Sequence, residues 1–306
     1  MPKISFWITE GALFSSVATL TDAFAIANLW QCALEEKDAG PLFQTEILTT
    51  DGAPVTALGN IPVTPHGAVD EDASTDCLIV APTLPNVTPM PANLDRLGRW
   101  IGALRRRGTP IATVCTGAFV LAELGLLDGK TATTNWQYAR MFQKQYPMVN
   151  LNVQHMLTED DGILCTGAAT AVYQLALHLI RRFGSNRLAS ACCKALLVDP
   201  NRSSQTPYVL TRPLRNHSDA QVLKAQQLIA ENYAAIDSID AIAREVGISP
   251  RHFKRRFKSA TGDLPLKYLQ RIRIDAAKDR LETTKQTIEE ITRAVGYQDV
   301  SSFCRL

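Results

Sequence analysis

The chain has 306 residues, 46% of them apolar and 20% charged, with a net charge of +2. That is material for about two domains with real cores, and the near-neutral total excludes neither acidic nor basic partners. The charge is unevenly placed: residues 1–216 carry 17 Lys and Arg against 18 Asp and Glu, whereas 244–280 carry 11 against 4. A basic block in an otherwise neutral chain is the footprint of a polyanion-binding surface, or of a solvated helical face. The cysteines, Cys32, Cys77, Cys115, Cys165, Cys192, Cys193 and Cys304, are odd in number and never in C-x-x-C spacing. Neither a zinc site nor a disulfide framework is indicated, and a reducing, cytoplasmic location is expected. The start of the chain lacks the apolar core of a signal peptide, and no stretch is expected to reach the length of a membrane span.

In chain order, the first two-thirds alternate apolar runs with helical patterns. Expected strands are 4–8, 44–49, 77–81, 111–114, 131–134 and 162–165; expected helices are 17–29, 94–106, 118–126, 136–145 and 168–183. Such alternation argues for a mostly parallel sheet with helices on both faces. The proline-rich run 82–91 reads as a loop. The polar segment 199–216, with three prolines, reads as a linker between a domain at 1–198 and a wholly helical domain at 217–306.

Within that helical domain, Ile239, Ile242, Ala243 and Val246 line one helix face, and Gly247 supplies a left-handed stop. Ser249 then stands as an N-cap with Pro250 at the first helical position. The following helix buries Phe253 and Phe257 and presents Arg251, Lys254, Arg255 and Lys258. A short helix, a glycine turn and a basic second helix are the parts of a helix-turn-helix reader. The logic repeats over 287–303, with Gly296 equivalent to Gly247 and Phe303 to Phe253, joined by an amphipathic helix at 264–281.

The chemistry of the first domain centres on Thr109-Pro110-Ile111-Ala112-Thr113-Val114-Cys115-Thr116-Gly117-Ala118-Phe119. A buried strand runs straight into a helix with a cysteine at the turn. That is the geometry of a nucleophile elbow, and equally of a buried, inert thiol.

These patterns resemble two known families. The paired units at 218–306 are similar to the AraC/XylS transcription regulators, through the A-x-x-x-G-hydrophobic-S-x-R-x-F-x-R-x-F pattern around Gly247. The segments Cys115–Phe119, Gly125–Trp136 and Cys165–Ala168 resemble the PfpI-like, class I glutamine amidotransferase-like superfamily, over residues 3–195. The resemblance implies a flavodoxin-like α/β three-layer sandwich, followed by an all-α tandem helix-turn-helix domain. It also implies two recognition helices in adjacent major-groove segments of double-stranded DNA. Arg251, Lys254 and Arg255 would face base edges in the first, and Val300, Ser301, Ser302 and Arg305 in the second, with phosphate contact the alternative for some. The chain stops at Leu306, inside the second recognition helix, where family members continue; this reads as a truncation.

Catalytic relatives pair the elbow cysteine with a histidine and often a glutamate. Here the histidine of the T-T-H-W motif is Asn135, and Ser16 falls where the glutamate would be. An amide takes no proton at neutral pH. Of the remaining histidines, His178 reads as a packed core residue and His155 as an exposed one. The expected function is therefore a DNA-binding regulator whose first domain senses a small, nitrogenous metabolite without turnover. Its pocket wall is expected from Ser15, Ser16, Cys115, Thr116 and Asn135, and Trp7 and Trp136 are weighed as cation-stacking groups or, better, as core. No cofactor, metal or membrane is called for, and a homodimer is expected. The alternatives are a cysteine-dependent hydrolase, a glyoxalase-like enzyme, and a redox sensor acting through Cys115.

Overall fold

The computed structural model describes residues 1–34, 40–84, 90–91, 94–206 and 217–305. The chain divides into two compact units, Met1–Val209 and Leu210–Leu306.

The first unit contains strands β1 (Lys3–Trp7), β2 (Gln44–Thr49), β3 (Val55–Ala57), β4 (Ile61–Val63), β5 (Gly67–Ala68), β6 (Cys77–Val80), β7 (Ile111–Thr113), β8 (Thr131–Ala132), β9 (Asn150–Leu151), β10 (Leu157–Asp160) and β11 (Ile163–Thr166), of which β3, β4, β5, β9 and β10 lie outside the expected runs. The main sheet has the order β10-β11-β7-β6-β1-β2-β5. It is parallel except for the β10 edge, which pairs antiparallel with β11. Helices α1 (Phe14–Leu34), α2 (Asp95–Arg106), α3 (Ala118–Glu123), α4 (Ala139–Gln145), α5 (Val172–Phe183) and α6 (Asn186–Ala195) complete the unit.

Side-chain alternation along the strands divides the core between the two faces. On β1 and just beyond it, Ile4, Phe6 and Ile8 join Phe24 of α1 and Leu175 of α5; Trp7 joins Trp100 of α2 and Phe119 of α3 on the other side. The indole of Trp7 is fully buried, with its N–H donating to Thr50 Oγ1 at 3.2 Å, so it is a core residue. Chain order reverses beside β1: β2 and β5 lie to one side, and β6, β7 and β11 to the other. A crevice at the carboxyl ends of the strands is the usual ligand position in such sheets.

Four expectations change. Residues 131–134 do not extend the main sheet: β8 pairs with β9 alone, while Thr133 and Thr134 turn their hydroxyls onto the carbonyls of His155 and Cys115 at 3.0 and 2.8 Å. His178 is half-buried rather than packed in the core, with Nε2 3.3 Å from Glu159 Oε2; burial holds its pKa below the ordinary value. Helix α1 is long and apolar enough, by length and composition, to cross a membrane. One of its faces, with Val17, Leu20, Ala23, Phe24 and Ala27, is buried in the sandwich core. Residues 199–206, expected to open a linker, pack against the sandwich, and Gln205 is only 2% exposed. The rest of that segment, 207–216, and most of the proline loop, 85–89 and 92–93, lie outside the described residues.

Among the described residues, the secondary structure of the second unit is all helical: α7 (Ala220–Asn232), α8 (Ile239–Glu245), α9 (Pro250–Thr261), α10 (Pro265–Thr283), α11 (Ile288–Ala294) and α12 (Val300–Phe303). Phe253 and Phe257 are fully buried with Ile242, Val246, Tyr268 and Leu269 in one core; Ile291, Val295 and Ala277 form a second with Tyr297 and Phe303 against it.

Candidate functional site

The end of β7 makes the elbow. Val114 is extended, Cys115 is forced to φ +56°, and a single 3-10 turn over Cys115–Gly117 feeds α3. A non-glycine residue in the left-handed region carries strain of about 1–3 kcal/mol, held only where the surroundings impose it. Gly117 explains how they do. A Cβ there would lie 2.2 Å from Thr113 Oγ1 and 2.8 Å from the Val80 carbonyl, so only glycine lets the turn press this close to β6 and β7.

Beside Cys115 lies a cavity of about 230 Å³, at the carboxyl ends of β1, β6, β7 and β11. Leu13, Pro82, Val114, Val172 and Tyr173 give it an apolar wall; Ser15, Ser16, Thr19, Cys115 and Thr170 add hydroxyls and a thiol. Among the described residues lining it there is no histidine, carboxylate or cation. Ser16 is held by its hydroxyl, which donates to the Leu13 carbonyl at 2.8 Å, and Ser15 is exposed at the mouth. Thr116 and Asn135 stand behind the cysteine rather than on the wall. Thr116 Oγ1 donates to the Thr83 carbonyl, and Asn135 Oδ1 accepts from the Gln137 amide at 3.0 Å. Burial pushes the Cys115 thiol up from its ordinary pKa, against hydrogen bonds from Asn135 and from the Thr116 amide that favour the thiolate. His155 and His178 line a different cavity, of about 200 Å³, beside Gln174, Arg181 and Arg202. His66 lies alongside β2, its Nδ1 accepting from the Ile47 amide at 3.0 Å. A wider groove of about 530 Å³ runs along α2, but it is remote from the strand ends, and its Glu71 and Arg99 pair with each other at 2.6 Å. Trp136 is half-buried at the edge of a void of about 20 Å³, too small to hold a ligand.

In the helical unit, Gly247 and Gly296 take φ +73° and +90° at the ends of α8 and α11, as two matching turns require. Arg251, Lys254, Arg255 and Lys258 are exposed along one side of α9, spaced three and four residues apart. Ser249 holds the N-cap position with Pro250 after it, but its hydroxyl makes no capping hydrogen bond. Lys254 Nζ lies 3.1 Å from Asp240 of α8, so it reaches DNA only by leaving that partner. On α12, Asp299 caps the helix through the Ser302 amide at 2.7 Å, and Arg305 donates to Ser302 Oγ at 3.2 Å; Ser301, Ser302 and Arg305 are exposed.

Part of the basic block serves the fold. Arg256 donates to Asp219 and Gln221 of the α7 start, and Arg271 pairs with Asp263. Arg273 donates to the carbonyls of Tyr233 and Ile236 at 2.9 and 2.7 Å and lies 5.2 Å from the Tyr297 ring centre. Charge counting could not separate these from Arg251 and Arg255, because helical phase alone does not say which turn meets a neighbour.

A strand-end cavity in an α/β sandwich, carried on one chain with paired helix-turn-helix units, defines a DNA-binding regulator with an appended α/β domain. The helix-turn-helix domain family matches residues 242–306, and the DJ-1/PfpI family matches residues 35–182. The chain is 29% identical to the HTH-type transcriptional regulator CdhR of Pseudomonas aeruginosa, over 86% of this chain and 78% of that one. It is 26% identical to the HTH-type transcriptional regulator GlxA of Rhizobium meliloti, over 98% and 90%. Among solved structures, an AraC family transcriptional regulator from Pseudomonas putida superposes with a TM-score of 0.53 at 21% identity, over 64% of this chain and all of that one. Drosophila melanogaster DJ-1beta gives 0.54 at 15%, over 65% and 98%. The chain thus carries a helix-turn-helix domain and a DJ-1/PfpI family domain, and over most of its length it is similar to HTH-type transcriptional regulators.

Proposed function

We propose that a small metabolite occupying the cavity beside Cys115 controls how this regulator reads DNA. The observation that carries the reading is the cavity itself: apolar walls, a few hydroxyls, and no base or carboxylate among the described lining residues. Such a site recognises a compact, partly apolar molecule and lacks a group to accept the thiol proton. Burial of the thiol points the same way, against hydrolase, glyoxalase-like and redox chemistry, all of which need an accessible thiolate. Amino acids and quaternary amines fit the size, with the Tyr173 ring on the wall able to face a cation. Differential affinity of the metabolite for two arrangements of the protein is what would bias DNA binding.

On the DNA side, Arg251 and Arg255 read base edges from α9, Lys254 contributes once released from Asp240, and Ser301, Ser302 and Arg305 serve the second helix. A homodimer would double the contacts on a two-part operator. Gel-shift titration against the chain's own promoter region and against random DNA, at several salt concentrations, tests the reader. Equal affinity for both would refute sequence-specific regulation. Thermal-shift screening of amino acids and quaternary ammonium compounds, repeated with Cys115→Trp to fill the cavity, tests the sensor. A stabilising compound that still acts on the filled variant would refute this location.

A further inference from the structure

The most elaborate buried polar arrangement in the first unit belongs to a residue that neither the elbow nor the DNA reader uses. Gln205 inserts its amide into a nest built from three separate connections. Its Nε2 lies 3.2 Å from Thr133 Oγ1, 3.1 Å from the Thr134 carbonyl, 2.9 Å from the Val153 carbonyl and 3.1 Å from the His155 carbonyl. Its Oε1 accepts from the Ala168 amide at 2.9 Å. An amide has only two N–H hydrogens, so four oxygens share them and hold the nitrogen at one point. The backbone around it is pinned as well: Gln205 N donates to the Gln154 carbonyl at 2.8 Å, and Met156 N to the Ser203 carbonyl at 2.9 Å.

Gly167 is shaped to this guest. A Cβ there would fall 2.2 to 2.4 Å from Gln205 Cδ, Nε2 and Oε1. Two of the groups that Gln205 holds also bracket the cavity. Ala168 directly precedes Ala169 and Thr170 of the cavity wall. Thr134, whose carbonyl accepts from Gln205, donates its own hydroxyl to the Cys115 carbonyl at 2.8 Å. From Thr206 the chain continues toward the helical unit that reads DNA.

We infer that Gln205 is a coupling residue: it ties the last segment of the sandwich to the walls of the cavity beside Cys115, so that filling the cavity changes how firmly that segment is held. The inference rests on the reading of that cavity as a sensor site. The physical reason is the cost of a partial fit. A buried amide satisfied from five directions in one position loses several bonds together when the wall moves, so a sub-ångström shift has a stepwise effect. Residues 203–206 then pass between a held and a released state rather than drifting.

The test is a double-mutant cycle on the full chain, read by hydrogen–deuterium exchange of the amides at 168 and 203–206, with introduced methionine and leucine side chains as the cavity probes. Cys115→Met fills the cavity from the elbow, and Ser16→Leu fills it independently from α1. The pinned amides should exchange about fivefold or more differently in the filled proteins than in the parent, roughly the worth of one net hydrogen bond. In Gln205→Ala they should exchange fast whether or not the cavity is filled, while β1 and β7 stay protected. Gly167→Ala, which expels the guest without altering it, should behave alike. Exchange at 203–206 that ignores both fillers in the parent, or that responds equally after Gln205→Ala and Gly167→Ala, would overturn the coupling. Gel shifts run in parallel separate the two ideas: non-specific DNA binding sinks the regulator reading without touching the exchange result.

Discussion

Gly117→Ala is the sharpest probe of the elbow, because its cost can be worked from the contacts. The backbone conformation at Gly117 suits any residue, so the penalty comes from space alone: the new methyl meets Thr113 Oγ1 at 2.2 Å, the Val80 carbonyl at 2.8 Å and the Ala81 carbonyl at 3.3 Å. Thr113 cannot simply turn aside. Its hydroxyl is fully buried and donates to the Val80 carbonyl at 3.3 Å, so rotation would orphan it at about 1–3 kcal/mol. The Val80 carbonyl also accepts from the Val114 amide, so moving it disturbs the approach to the elbow itself. Overpacking of this kind adds about 1–3 kcal/mol. A combined loss of about 2–6 kcal/mol should lower the sandwich's unfolding midpoint by roughly 5–15 °C for a unit of this size. Differential scanning calorimetry of the full chain reads that transition directly. A midpoint within about 2 °C of the parent would refute the close-approach argument.

Arg251→Ala and Arg255→Ala should each weaken operator binding by about 1–3 kcal/mol and relax one base preference if they read bases; a uniform loss with a salt slope lower by about 1 would assign them to phosphate. Asp219 is pushed up by burial, but hydrogen bonds from Arg256 and the Val222 amide outweigh this and hold it below the usual carboxylate range. The stability it contributes is therefore present above about pH 4 and lost as pH falls through its folded pKa, so the gap between parent and Asp219→Asn in urea melts should close on acidification. Gly247→Ala meets no atom within 4 Å and should cost only the left-handed penalty, about 1–2 kcal/mol. Gly296→Ala adds a contact of 2.5 Å with the Ala234 carbonyl and should cost more; the reverse order in chemical denaturation would contradict the packing. Asn135→His sets an imidazole beside the thiol and should speed iodoacetamide labelling of Cys115 at neutral pH by about tenfold, with an unchanged rate arguing that the side chain at 135 does not reach the sulfur.

Features that depend on neighbours along the chain are legible in the residues themselves. β1, β6 and β7 follow from buried apolar runs, and the elbow from a strand that meets a helix with no room for a loop. Gly247 and Gly296 follow from the left-handed stop. Features that depend on distant partners are not legible in this way. The β10 edge strand carries Thr158, Glu159 and Asp160, a polar run that reads as loop until β11 supplies its ladder. Thr131–Thr134 has strand propensity, but its hydroxyls find carbonyls across the fold and withdraw it from the sheet. Gln205 sits in a stretch whose prolines and polar residues signal a linker, and nothing local reveals a nest formed by Thr133, Val153 and Ala168.

The elbow shows why sensing and catalysis can share one frame. The Thr116 amide and the Asn135 side chain both favour a thiolate, as such donors would in an enzyme. Two features oppose them: Cys115 is only 4% exposed, and residue 135 is an amide, which takes no proton at neutral pH. Desolvation then dominates, because a buried anion without a counter-charge is costly while a neutral thiol is an ordinary small hydrophobe. On the proposed sensor reading, a turn that could aim a nucleophile instead holds an uncharged wall, with Gly117 beneath and Thr134 behind it. A wall that cannot relax locally passes any displacement to whatever is bonded to it, and here that is the strap ending at Thr206.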